Sequence, residues 1–134
     1  MKLSIINGPN LNLLGKRETN IYGNQDFDIF LKKLKCDFKS CSFSYFQSNI
    51  EGELIDAIQK FGFDCDGIIL NAGAYTHTSI GIADAIKAVE SPVIEVHISN
   101  TASREDYRHK SFITPVASGS VSYTHLTLPT MDSV

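Results

Sequence analysis

Two groupings of residues in this 134-residue chain can do chemistry. The first is a pair on one strand-like run, Glu95 and His97 in "VIEVHIS" (93–99). Residues i and i+2 of a strand share a face. A carboxylate beside an imidazole orients the ring and suits it to general-acid work. The alternative is a strand-end histidine satisfied by backbone. The second grouping is a polar stretch, "GPNLNLLGKRETNIYGNQ" (8–25), which holds a cation and a phenol, Arg17 and Tyr22. The arginines also stand out: there are three, Arg17, Arg104 and Arg108, against nine lysines. A guanidinium is a planar fork that matches carboxylates.

The elements that must position these residues alternate in type. "KLSIIN" (2–7) reads as a strand. Over 26–38, Phe27, Phe30, Leu31, Leu34 and Phe38 recur at helical spacing. "CSFSYFQ" (41–47) alternates apolar and polar residues, as a strand does. Ile50, Leu54, Ile58 and Phe61 stripe a second helix that Gly62 ends. "DGIILNA" (66–72) is the apolar strand of a sheet covered on both faces. Residues 79–90 form a third helix, stopped by Pro92, with Ile82, Ile86 and Val89 inward. The fourth strand is 93–99; "SREDYRHK" suggests a short helix with Ser103 as N-cap, and "FITPVASGSVS" supplies a fifth strand. Strand–helix alternation with right-handed crossovers predicts an α/β fold. Five strands in this length give a flavodoxin-like, doubly wound parallel sheet of order 2-1-3-4-5.

Ligands of such sheets bind beyond the carboxyl ends of the strands, at the switch between strands 1 and 3. Asn10, Asn12, Arg17 and Tyr22 follow strand 1; Asn71, Gly73, Tyr75 and His77 follow strand 3; His97, Ser99, Asn100, Arg104 and Arg108 end or follow strand 4. All three arginines therefore fall on one rim, which points to a small anionic ligand; the alternative is chance placement on loops. Asp84 lies elsewhere, about 160–200° around the third helix from its inward stripe, with Ile80 and Lys87. That is either a solvated face or, given Ile80, a subunit contact.

Composition excludes several classes. The net charge of −3 argues against nucleic-acid or anionic-membrane binding. No apolar run reaches the length of a membrane span, and no signal peptide precedes "INGPN", so a cytoplasmic setting is expected. Cys36, Cys41 and Cys65 form no Cys-x-x-Cys pair and read as small core residues. "GPNLNLLG" fits neither phosphate-loop pattern, and Pro9 removes a backbone donor. Apart from Glu95, neither His77 nor His97 has a neighbour at metal-ligand spacing.

The stretches "NGPNLNLLGKRE…YG", "QSNIEGELIDAI", "GIILNAGAYTHTSIGIADAI" and "PVIEVHISN", with the arginines after it, resemble the type II 3-dehydroquinate dehydratases from about residue 1 to 121. The resemblance implies a flavodoxin-like fold, trimers that assemble into dodecamers, and no cofactor or metal. It implies the anti elimination of water from 3-dehydroquinate, through an enolate, to 3-dehydroshikimate. Tyr22 would be the general base, Arg17 would activate it, and His97 would be the general acid oriented by Glu95. Asn10 would help hold the water that stabilises the enolate. Asn71, His77, Ile98, Ser99 and Arg108 would bind substrate, with Asp84 reaching in from a neighbouring subunit. The first loop would then be a lid over the ligand. The catalytic domain is expected over 1–122. The tail 123–134, "YTHLTLPTMDSV", has no helical stripe and a Pro129 where the family has a C-terminal helix, which bears on the covering of one sheet face. Two other classes fit less: a non-catalytic flavodoxin-like module binding an anionic metabolite explains the arginines but not the Glu–His pair, and a flavin carrier lacks its phosphate loop.

Overall fold

The computed structural model describes residues 1–13, 27–98, 106–108 and 110–122. Five strands form one sheet: β1 (Lys2–Asn7), β2 (Ser42–Gln47), β3 (Gly67–Asn71), β4 (Val93–His97) and β5 (Gly119–Ser122). All pairings are parallel and the order is β2-β1-β3-β4-β5, as the alternation of elements predicts. Among the described residues, three α-helices join them: α1 (Phe27–Asp37), α2 (Glu51–Phe61) and α3 (Ile80–Ala88).

Register decides which side chains share a face. Ile6 pairs with Leu70, and Leu70 with Glu95, so Ile6, Ile68, Leu70, Val93 and Glu95 all point to one side. That side packs on α2 and α3 through Leu54, Ala57, Ile58, Ile82, Ala83 and Ile86. Fully burying each Leu or Ile stabilises the fold by roughly 1.5–3 kcal/mol. On the other side, Phe27 of α1 stacks on Tyr45 of β2, with ring centroids 5.0 Å apart, and packs against Leu11 and Ile98. The sheet is therefore covered from both faces, as the apolar β3 run requires. Toward β5 the α1 side is less covered: Ile94 is 36% exposed, and its face-mates Val96 and Val121 are half-buried. The tail 123–134 lies outside the described residues.

Helix α3 begins at a cap. The Ser79 hydroxyl accepts from the Ile82 amide at 2.9 Å and donates to Glu51 at the start of α2, tying the two helix N-termini together. Its outward face carries Ile80, Asp84 and Lys87, as expected from the inward stripe.

Several expectations need correction. Helix α3 ends at Ala88, two residues short of the predicted end, because Val89 is already extended. Phe38 falls beyond the end of α1 and is 51% exposed; α1 buries no residue fully, since it covers the edge strand β2 and only one side of it meets the sheet. Cys36 is exposed, while Cys41 and Cys65 are half-buried, so none is a core residue. The fifth strand is only Gly119–Ser122; Ile113–Ala117 instead make a turn in which Val116 and Ala117 both donate to the Ile113 carbonyl. The predicted short helix is a 3-10 turn, Asp106–Arg108; Ser103 lies outside the described residues.

Candidate active site

Three adjacent strands end level with one another. Asn7 of β1 is in register with Gln47 of β2 and Asn71 of β3, which makes a row of amides along the carboxyl edge. Parallel strands run about 4.8 Å apart, so these side chains are near neighbours. Asn7 is buried and its Nδ2 donates to the Tyr45 hydroxyl at 3.2 Å.

The turns after β1 and β3 are pressed together at the switch point. The Gly8 amide donates to the Asn71 carbonyl at 2.7 Å. A Cβ on Gly8 would lie 2.5 Å from the Ala72 carbonyl oxygen, so only glycine fits. Gly73 faces Pro9 and holds φ at +60°, the left-handed region that other residues rarely adopt. The Asn71 Oδ1 accepts from the Gly73 amide at 3.1 Å, fixing that turn. Asn10 is also left-handed, with φ of 69°. Its amide donates to Asn49 Oδ1 at 2.9 Å, and Gln47 Nε2 donates to the same oxygen at 3.2 Å. The Tyr75 hydroxyl closes this platform by donating to the Asn49 carbonyl at 2.8 Å.

At the end of β4, Glu95 is fully buried and His97 nearly so. His97 Nε2 donates to Glu95 Oε2 at 2.7 Å. The other carboxylate oxygen, Oε1, accepts from Thr114 Oγ1 at 2.6 Å and Ser120 Oγ at 2.8 Å. Burial pushes the Glu95 carboxyl up, but the bonds from His97, Thr114 and Ser120 outweigh it, and the group sits below its ordinary value. A carboxylate can only accept, so Nε2 carries a proton, and any exchange with a ligand falls to Nδ1. The backbone-satisfied alternative for His97 is thereby replaced by a side-chain pair. His77 is oriented differently. Its Nδ1 donates to the Lys110 carbonyl at 2.6 Å.

Of the residues singled out from sequence, Asn10, Asn71, His77, Glu95 and His97 stand at the carboxyl edge of the sheet or in the turns just beyond it. Ile98 is there too, with its side chain buried against Leu11 and Phe27. Asp84 does not join them: it is exposed on α3, 3.5 Å from the Lys87 ammonium. Arg17, Tyr22 and Ser99 lie outside the described residues, as does the Arg108 side chain. Sequence reasoning missed Asn7, Gln47, Asn49, Ser111, Thr114 and Ser120. Asn7 and Gln47 were accessible as the last residues of strands beside the switch point. The three hydroxyl residues had no pattern to betray them. Among the described residues, no cluster of three or more His, Cys, Asp and Glu side chains could hold a metal ion.

A doubly wound α/β sheet with a buried carboxylate–imidazole pair at its carboxyl edge is the frame of a small-molecule enzyme acting by acid–base chemistry. The chain matches the family model described as dehydroquinase class II over residues 1–127, and it belongs to that family. It is 54% identical to a 3-dehydroquinate dehydratase of Campylobacter lari, over 90% of this chain and 77% of the relative. It is 53% identical to the protein of the same name from Caldicellulosiruptor bescii, over 90% of this chain and 86% of that one. Among solved structures, the type II dehydroquinase from Butyrivibrio crossotus superposes with a TM-score of 0.88 at 46% identity, covering 94% of this chain and 90% of the other.

Proposed function

We infer that this protein is a hydro-lyase, a type II 3-dehydroquinate dehydratase that eliminates water from 3-dehydroquinate to give 3-dehydroshikimate in the shikimate pathway. One observation carries the reading: nine-tenths of the chain is more than half identical to proteins named for that reaction. The substrate's chemistry states what the site must do. The C2 proton lies alpha to a ketone, so its removal gives an enolate and needs a placed base and a group that stabilises the oxyanion. The C1 hydroxyl is a poor leaving group and must take up a proton as it departs.

In this reading Tyr22 is the base, Arg17 stabilises its charged form, and Asn10 holds the water that stabilises the enolate oxygen. His97 gives its Nδ1 proton to the departing hydroxyl. What supports that role is the grip of Glu95 on Nε2, which leaves Nδ1 as the donating atom and places a negative charge where the ring carries its positive one. Asn71, His77, Ser99, Arg108 and the Ile98 backbone bind the substrate's carboxylate and hydroxyls. Asp84 completes the site of a neighbouring subunit, in trimers that assemble into a dodecamer; its place on an exposed face beside the 59% exposed Ile80 supports this. The elimination is anti, needs no cofactor or metal, and takes place in the cytoplasm. No helix among the described residues is long and apolar enough to cross a membrane. The catalytic domain spans 1–122, followed by a tail of atypical sequence over 123–134.

The test is direct. Purified protein mixed with 3-dehydroquinate should develop the ultraviolet absorbance of a conjugated enone. Tight binding of 3-dehydroquinate with no absorbance change would overturn the reading in favour of a non-catalytic binding module.

A further inference from the structure

One short segment touches His77 and the carboxylate that holds His97. Lys110 accepts from His77 through its carbonyl, at 2.6 Å. The Phe112 amide donates to the Thr76 carbonyl at 2.9 Å, which lays the segment against the turn that carries His77. The next side chain, Ile113, is fully buried and anchors it. Thr114 then reaches Glu95 Oε1 at 2.6 Å. Ser111 lies 2.9 Å from the Thr114 hydroxyl and 3.5 Å from Glu95 Oε2.

Proton accounting directs these bonds. A hydroxyl has one proton and two lone pairs, and a carboxylate has only lone pairs. The Thr114 proton therefore goes to Glu95, and the Thr114 oxygen accepts from Ser111. Ser111 in turn accepts from the amides of Ile113 at 3.1 Å and Thr114 at 2.9 Å. Ser111 is accounted for by the turn it closes. Thr114 is not: it is exposed, and among the described residues its hydroxyl bonds only Glu95 and Ser111. It fills no core space, so its hydroxyl is spent on the carboxylate.

We propose that Thr114 is a positioning residue for the elimination: backed by Ser111, it turns Glu95 toward His97, and the same five-residue strap, 110–114, sets His77 through the Lys110 carbonyl. Both histidines thus take their orientation from one segment anchored by Ile113. The inference rests on the reading of Glu95 and His97 given above. Ser120 supplies a second hydroxyl to the same oxygen, so loss of Thr114 loosens the carboxylate without orphaning it.

Steady-state kinetics of the full chain test this with Thr114→Val, Thr114→Ser, Glu95→Gln and the double variant Thr114→Val with Glu95→Gln. Valine keeps the shape and removes the hydroxyl. Thr114→Val should lower kcat roughly fivefold with KM unchanged, since a lost bond to a charged group acts here through orientation. Thr114→Ser should restore kcat. In the Glu95→Gln background, Thr114→Val should cost clearly less than in the wild type, because a neutral amide is held by the Thr114 hydroxyl less firmly than a carboxylate is. A wild-type kcat in Thr114→Val beside an impaired Glu95→Gln would overturn the proposal, as would an equal loss in both backgrounds. A wild-type kcat in Glu95→Gln would instead overturn the Glu95–His97 reading, and the proposal with it.

Discussion

Replacing Glu95 by glutamine isolates charge from shape. Each partner of the carboxylate in the structure is a donor: His97 at 2.7 Å, Thr114 at 2.6 Å and Ser120 at 2.8 Å. A glutamine can keep its carbonyl on His97 and turn its amide nitrogen toward the two hydroxyls, which then accept instead of donate. Every bond survives, and no buried group is left unpaired. What changes is strength. A hydrogen bond to a charged group contributes about 1.5–3 kcal/mol and a neutral one about 0.5–1.5 kcal/mol. The loss where the imidazolium meets its partner is then about 1.5 kcal/mol. Each 1.36 kcal/mol is tenfold in rate, so kcat should fall by about an order of magnitude, with KM nearly unchanged. The assay is enone formation over a range of substrate concentrations. Stability gives a second readout. The folded carboxyl of Glu95 lies below its ordinary value of 4.5. Its contribution is fully present above that value and is lost as pH falls through the lower, folded one. The wild type should therefore lose melting temperature more steeply than Glu95→Gln as pH drops below about 4.5. A variant with unchanged kcat and a raised KM would refute the reasoning, because Glu95 would then serve binding and not the acid.

Gly8→Ala places a methyl 2.5 Å from the Ala72 carbonyl oxygen. It should destabilise the fold by about 3 kcal/mol, read as a lower midpoint in urea. Arg17→Ala should cut kcat far more than it raises KM and move the acid limb of the pH–rate profile upward; an unmoved limb with only a weaker KM would make Arg17 a carboxylate binder. If Asp84 serves a neighbour's site, Asp84→Ala and His97→Ala should each be impaired alone. Subunits of the two, mixed and reassembled, should regain activity, since some sites then combine an intact His97 with an intact Asp84.

Much of the architecture was legible because burial imposes periods. Ile82, Ile86 and Val89 read as an inward stripe, and they pack inward; Ile80, Asp84 and Lys87 read as the opposite face, and they are exposed. The apolar run of β3 announced a sheet covered on both sides, and α1 lies opposite α2 and α3. Glu95 and His97 were legible as a pair because strand geometry puts i and i+2 side by side without help from the rest of the chain. Periodicity misled where an element stops. Phe38 continues the apolar spacing of α1, but the helix stops at Asp37 and Phe38 is left exposed.

The support of the Glu–His pair was illegible for a different reason. Thr114 and Ser120 follow Glu95 by 19 and 25 residues, on a turn and an edge strand, and nothing in their local sequence differs from a solvated loop. Their meeting is a product of register: β5 aligns Ser120 with Glu95, while the buried Ile113 pins the turn that holds Thr114. A carboxylate in a core must find donors wherever the fold brings them. The presence of a Glu in an otherwise apolar strand, "VIEVHIS", is the one signal that such donors exist. It demands them without naming them. Once the sheet order is known, the search narrows to whatever lies on the far side of β4. The strap 110–114 and the start of β5 are what the structure puts there.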